Sequence, residues 1–390
     1  MTSGGKTRQY HLLRSLAERG HRITLLVQSK TPLDEATRAA LEPMLERLVV
    51  LPRRPLKHAV TMLAALFAPW PLLTTVNGLA PALRDRFAAL LDEPWDVIQI
   101  EHSYSFQPFE RELRKRGKRF VLTEHNLESS LGAATYDRFP GWSTPFVRFD
   151  QWRARRWEKQ VFAQTSRVIA VTEEDAQEMR GLTCRPVDIV VNGVDTREFA
   201  SVQAEPSGQR ILFVGNYEYA PNRDAVQWAL DEVFPLLWQR CPQARFAVAG
   251  FAMPAEWAQR WPDPRIDWVG FAPRLTELQA RSALFLAPLR HGGGSKLKVL
   301  EALAAGLPLV ATAQGVSGLP LQNSRDYCGG ETSEALAAAL AKLLNDPGYA
   351  RQLAVNGRAY VCAHHDWQIA AAQLERVYQQ LPSKDAALCE

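Results

Sequence analysis

Short apolar runs alternate with amphipathic stretches along most of this chain. Residues 23–27, 48–51, 97–100, 120–122, 168–171 and 188–191 are brief apolar runs of strand length. Between them, Tyr10, Leu13, Leu16 and Ala17 recur three and four apart, the period of a helix that buries one stripe, and Gly20 ends it. Helical patterns also cover residues 60–67, 80–91, 106–115 and 145–163. A second series repeats the scheme, with strands at 211–214, 246–249, 266–269, 284–286 and 309–311. Its helices fall at 223–238, 275–280, from 296 to a stop at Gly306, 332–344, 349–362 and 367–381. Alternation of this kind predicts an α/β protein of two doubly wound halves, each a parallel sheet covered by helices. The polar stretch ASVQAEPSGQ at 200–209 reads as a linker, giving domains at 1–200 and 210–365 with 201–209 between them and a last helix and tail at 366–390. At the other end, only Met1, Thr2 and Ser3 precede Gly4-Gly5. In a doubly wound domain the glycine turn feeding such a helix follows a strand, so the chain is expected to begin late, with the first strand of its first sheet missing.

The densest chemistry lies between the strand at 284–286 and the helix that follows. Gly292, Gly293, Gly294 and Ser295 form a loop, and Lys296 and Lys298 fall in the helix's first turn. Cations there oppose the helix dipole, a conflict that a bound anion would remove. A plain βα loop with solvated lysines has the same spacing, and the loop is neither a Walker loop nor a GxGxxG fingerprint. Glu301 lies further along the same helix, within reach of hydroxyls on such a ligand.

The segment GGGSKLKVLEALAAGLPLVAT resembles the donor-binding segment of family 4 glycosyltransferases. SGGKTRQYHLLRSLAERGHRITLL (from Ser3), IVVNGVDTREF (from Ile189) and ILFVGNYEYAPNRDAVQWAL (from Ile211) agree with it in order, over nearly the whole chain. The resemblance implies the GT-B fold, two Rossmann-like domains facing across a cleft, with the last helix crossing back to the first domain. It implies retaining transfer of a sugar from a nucleotide-diphosphate sugar to the hydroxyl of a saccharide or lipid-linked acceptor, in cell-surface polysaccharide or glycoconjugate synthesis. His125 then stands at the position that contacts the donor sugar, and Glu301 at that of the carboxylate binding the donor ribose. Gly4, Gly5, Gly215, Asn216, Arg223, Gly293, Gly294, Ser295, Lys296 and Lys298 are the expected donor and phosphate contacts, and Glu101 and His102 the expected acceptor side. The chain departs from the family in two places. Asn216 and Asn222 occupy positions where an arginine and a lysine commonly hold the diphosphate, leaving Arg223, Lys296 and Lys298 to supply charge. Gly293 stands where the first of two glutamates is usual, which marks a divergent subgroup. An epimerase of the same fold and a non-catalytic nucleotide-sugar-binding protein are the alternative readings.

Composition narrows the partners. Of 390 residues, 46% are hydrophobic and 23% charged, and the net charge of +4 is too small to suggest nucleic acid. The five cysteines contain no CxxC pair, the N-terminus carries no apolar leader, and a cytoplasmic protein is expected. No Asp-x-Asp pair or Cys/His ligand spacing follows a strand, so a metal-independent reaction without a cofactor is expected. His364-His365-Asp366 reads as surface. The uncharged stretch 59–83 is cut by prolines at 69, 71 and 81, too often to span a bilayer. With the basic runs at 111–119 and 153–159, it leaves peripheral contact with a membrane's inner face open.

Overall fold

The computed structural model describes residues 4–53, 63, 67–130, 141–204, 208–292 and 296–381. Of the helix expected at 60–67, only Leu63 and Phe67 are described, both helical; the rest lies outside. Contacts divide the chain into two compact units, one of residues 9–191 with 371–390 and one of residues 1–8 with 192–370. The division falls at Val191/Asn192, ahead of the linker expected at 201–209. The cause is local. Val194 bridges Asp366, the Val194 amide donates to His365 O at 2.7 Å, and a Cβ on Gly193 would stand 2.8 Å from the Trp367 ring. The segment after the last strand of the first half is thereby tied to the end of the second. His365 is correspondingly buried, 5% exposed, with Nδ1 at 2.9 Å from Asn192 O. The surface placement of that histidine is corrected.

In the first unit, β1 (Thr24–Ser29) and β2 (Arg47–Pro52) pair in parallel. Strands β3 (Gln99–Glu101), β4 (Val121–Thr123), β5 (Arg167–Ala170) and β6 (Val187–Ile189) form a separate parallel sheet in sequential order. Among the described residues no strand joins the two sheets. Phe106, Leu122, Val161, Phe162 and Val168, all fully buried, pack the four-stranded sheet against helix Thr144–Gln164. Gly4 and Gly5 open helix Gly4–Glu18, at the place the sequence starts it.

The second unit is one parallel sheet of β7 (Arg210–Asn216), β8 (Arg245–Phe251), β9 (Ile266–Gly270), β10 (Leu284–Ala287), β11 (Leu309–Ala311) and β12 (Cys328–Gly329). Its order is β12-β11-β10-β7-β8-β9. The order reverses between β7 and β10, and in open parallel sheets such a switch opens a crevice at the carboxyl ends of the two strands. The two segments leaving those strands begin at Tyr217 and Pro288, so residues 288–292 and the Asn216–Asn222 turn face one crevice.

Candidate active site

Helix Leu297–Ala304 starts beside this crevice. Its inner stripe of Val299, Leu300, Leu303 and Ala304 is buried on β10 and β11, which fixes its axis and leaves its first turn at the crevice. Lys296 is the cap residue, 4% exposed, and its Nζ donates to Gly292 O at 3.1 Å. Gln314 Nε2 donates to the same carbonyl at 2.6 Å. Gly292 has φ +107°, and a Cβ there would lie 2.8 Å from the Tyr219 hydroxyl. Only glycine lets the loop approach the β7 turn so closely. Gly293, Gly294 and Ser295, expected at the heart of the site, lie outside the described residues.

Lys298 crosses to the other side of the crevice. Its Nζ donates to Asn222 Oδ1 at 2.5 Å and stands 4.5 Å over the Phe213 ring. Asn222 in turn donates from Nδ2 to Asn216 O at 2.8 Å, so one amide joins the end of β7 to the lysine. Burial, and then the neighbouring Lys296, lower the Lys298 ammonium to about 7, with Glu301 opposing them. Glu301 is pushed up to about 7, by burial first and then by Glu198, with Lys298 opposing. Gly215 closes against the Asn222 side chain, 3.1 Å from where its Cβ would be, and Gly4 stands 3.3 Å by the same measure from Leu297 Cδ1. Arg223 is exposed on helix Ala220–Trp228. Reading the sequence shared the positive charge among Arg223, Lys296 and Lys298 and treated Asn222 as a departure. The structure instead turns Asn222 inward, 7% exposed, and makes it the link to Lys298.

The first unit builds a second cluster. β3 and β4 are parallel neighbours with Glu101 opposite Thr123, and each runs directly into a Glu-His dipeptide. The pairs cross. His125 Nε2 lies 3.1 Å from Glu101 Oε2, and His102 Nδ1 lies 3.6 Å from Glu124 Oε2. The two rings are 4.4 Å apart, and Tyr104 stacks on His102 at 4.7 Å. A carboxylate can only accept, so the His125–Glu101 bond places a proton on Nε2. His102 takes φ +68°, which turns the chain so that the Ser103 amide donates to Glu124 Oε1 at 2.6 Å. Glu124 is fully buried. Burial disfavours the Glu101 anion, yet His125 and then His102 outweigh it and hold the carboxyl at about 2. Burial likewise disfavours the His102 cation, and Glu124 reverses the balance and raises it.

The hydrogen bonds extend behind Glu101. Gln99 Nε2 donates to Glu101 Oε1 at 2.5 Å, and the Tyr378 hydroxyl, on helix Trp367–Gln379, donates to Gln99 Oε1. Neither residue stands out in the sequence, since their contact joins positions far apart in the chain. A narrow recess of about 20 Å³, room for about one water, opens beside the cluster, lined by Thr74, Tyr104, Glu128, Asp150 and Glu158 among others. Thr74 Oγ1 is buried there without a hydrogen-bond partner, and burial first, then Glu124 and Glu128, push Glu158 up to about 7.

Comparison with known proteins gives the family and the fold. Residues 2–198 match the family model described as Glycosyltransferase Family 4, and residues 208–346 that described as Glycosyl transferases group 1. Glycogen synthase of Mycobacterium tuberculosis is 24% identical over 95% of this chain and 89% of the relative. A 44.6 kDa protein from the cps region of Klebsiella pneumoniae is 21% identical over 93% and 92%. Among solved structures, sucrose-phosphate synthase of Thermosynechococcus elongatus superposes with a TM-score of 0.70 at 18% identity, covering 97% of this chain and 94% of that one. Anabaena HepE in complex with UDP and glucose gives 0.66 at 15%, covering 97% and 96%. With its N-terminal half matched end to end, its two Rossmann-like halves and its GT-B neighbours, the chain belongs to glycosyltransferase family 4.

Proposed function

We propose that this glycosyltransferase takes its sugar from a nucleotide-diphosphate sugar and transfers it, with retention and without a metal, to the hydroxyl of a saccharide or lipid-linked acceptor. The observation that carries the reading is the pair Lys296 and Lys298 at the mouth of helix Leu297–Ala304, one on a carbonyl and one on an amide oxygen. As the anomeric bond lengthens, negative charge grows on the leaving diphosphate, and fixed cations at a helix start stabilise that charge more than the ground state. Glu301 serves the ribose hydroxyls. His125, its ring held by Glu101, serves the sugar. The acceptor oxygen bonds to the anomeric carbon as the carbon–oxygen bond to the diphosphate breaks, and its proton passes to a phosphate oxygen. HepE, of similar fold, has been solved with UDP and with UDP-glucose, which supports a nucleotide-sugar donor.

We extend the reading to a role in cell-surface polysaccharide or glycoconjugate synthesis. Among the described residues no helix is long and apolar enough to cross a membrane. We place the enzyme on the cytoplasmic side, peripheral to the membrane. The test is calorimetry of nucleoside diphosphates on the wild type and Lys298→Met, followed by a donor screen in EDTA with identification of the product. Binding confined to the wild type and a glycosylated product of retained configuration are expected. Isomerised donor without acceptor, or binding indifferent to Lys298, would overturn the reading.

A further inference from the structure

Helix Thr144–Gln164 has two unlike faces. Its inner face buries Asp150, Arg153, Ala154, Trp157, Glu158, Val161 and Phe162. Its outer face exposes Arg148, Phe149, Trp152, Arg155, Arg156 and Lys159. Phe149 is 53% exposed and Trp152 55%, and their rings stack at 5.8 Å. The Arg156 guanidinium stands 5.9 Å over Trp152, and that of Arg153 5.0 Å over Phe149. The helix contains only two acids, Asp150 and Glu158, and both are buried. The outer face therefore carries cations and aromatic rings with no carboxylate of its own.

Two neighbouring segments extend this face. Arg153 Nη1 donates to Ala68 O at 2.9 Å, and the Leu72 amide donates to Asp150 Oδ1 at 3.0 Å. Those bonds tie the chain that follows Phe67 to the turn bearing Phe149 and Trp152. Phe67 is 80% exposed and Leu63 61%. Further along, Glu110 Oε1 accepts from Gln160 Nε2 at 3.2 Å and Gln164 Nε2 at 2.9 Å. Helix Gln107–Lys115 is thereby laid alongside, with Arg111, Arg114 and Lys115 exposed; Arg114 is 3.5 Å from Glu110. Isolated exposed apolar side chains need no explanation, but a stacked pair framed by arginines and free of acids does.

We propose that the outer face of helix Thr144–Gln164 seats this protein on an anionic lipid surface. Phe149 and Trp152 enter at headgroup depth, where aromatic rings are favoured, and Arg148, Arg155, Arg156 and Lys159 reach lipid phosphates on long apolar stems. The occupant follows from charge and shape. The stacked rings are half exposed, so they suit a yielding interface, and the arginines that frame them select an anionic one. The inference deepens the reading of the enzyme as peripheral to a membrane. It does not depend on sugar transfer, so either can fail alone.

The experiment is co-sedimentation of the full chain with vesicles of phosphatidylcholine alone and with about 30% phosphatidylglycerol, at low and high salt. The variants are Arg148→Gln/Arg155→Gln/Arg156→Gln and Phe149→Ser/Trp152→Ser, each checked by melting temperature and by nucleoside diphosphate calorimetry. Wild type is expected on the anionic vesicles only, and less so in high salt. The arginine triple is expected to bind about a hundredfold more weakly, at roughly fivefold for each cation near the surface. The aromatic double is expected to bind more weakly at both salt concentrations, with nucleotide binding unchanged in both variants. Equal partition onto neutral vesicles would overturn the proposal. So would undiminished binding by both variants, or equally tight capture by a soluble polyanion indifferent to Phe149 and Trp152. Calorimetry that finds no nucleotide site in the wild type would overturn the enzymatic reading and leave the vesicle result standing.

Discussion

At the carboxyl ends of β3 and β4 each histidine faces a carboxylate, whereas beside β7 and β10 the lysines face a carbonyl and an amide oxygen. The first cluster neutralises itself. Its pairing holds Glu101 low and His102 high. The second places two ammonium groups close enough that burial and Lys296 bring Lys298 down to about 7. Fixed pairs suit a group that must keep one orientation and one proton. A strained cation suits a site that an incoming anion completes.

The largest expected effect tests the unfinished site. Lys298→Met removes a charge that burial penalises and keeps most of the volume, so the melting temperature should hold or rise. Nucleoside diphosphate affinity should fall about a hundredfold or more, as for loss of a charged contact to a phosphate in a preorganised site. Arg223→Ala, at an exposed position of helix Ala220–Trp228, should change it less than about threefold. Calorimetry on the two variants decides, and the reverse ranking would move the phosphate site to Arg223.

Breaking the finished site should cost somewhat less. Glu101→Gln leaves a neutral partner for His125 Nε2, and turnover should fall about tenfold to a hundredfold with the donor KM little changed. The variant also has a pH signature. The Glu101 pKa is lowered in the folded state, from an ordinary 4.5 to about 2, so its contribution to stability is full above about 4.5 and is lost as pH falls toward 2. Melting curves of wild type and Glu101→Gln should therefore lie apart at pH 6 and converge at acid pH. A gap that stays constant down to pH 3 would mean the carboxylate carries no such linkage.

Smaller again is the pH dependence of donor binding. An anion beside Lys298 raises its pKa from about 7, so above that pH binding takes up a proton. Affinity should fall by up to tenfold per pH unit between 7 and 8.5. Calorimetry in buffers of different ionisation enthalpy should report the uptake directly, and its absence in Lys298→Met would assign it.

Much of this architecture was legible because strand and helix periods differ. The apolar run at 284–286, the glycine bend and the stripe of Leu297, Leu300 and Leu303 predict β10 and its helix, and the structure differs at the strand by one residue, ending at Ala287. Strand β12 was not legible, since a strand of only Cys328 and Gly329 has no period. The helix expected at 223–238 is interrupted by a π-helical stretch, Ala229–Val233, which no local pattern announces. Helix Leu72–Gly78 was hidden among prolines, and it contributes Thr74 to the recess. Two Glu-His dipeptides were visible after their strands, but their crossing depends on β3–β4 register. Asn222 was noticed for what it lacks, because a family pattern describes side-chain identity and not which of two adjacent residues turns inward.

The smallest effect probes the reach of the finished site. Tyr378 donates to Gln99, Gln99 donates to Glu101 at 2.5 Å, and Glu101 accepts from His125 at 3.1 Å, so one hydroxyl on the last helix stands at the far end of the chain that orients the histidine. Tyr378→Phe removes that hydroxyl and little volume. A single such bond is worth about 0.5–1.5 kcal/mol net, which bounds the change at roughly twofold to tenfold in turnover. Fall in kcat without change in donor KM is expected, since the residue acts on the orientation of His125 and touches no ligand. The decisive measurement is the double variant. If the bonds act as one series, Tyr378→Phe should cost almost nothing once Glu101→Gln has broken the link to His125, because coupled residues are not additive. Additive losses in kcat would show instead that Tyr378 only fastens its helix, and the histidine's orientation would then rest on Glu101 alone.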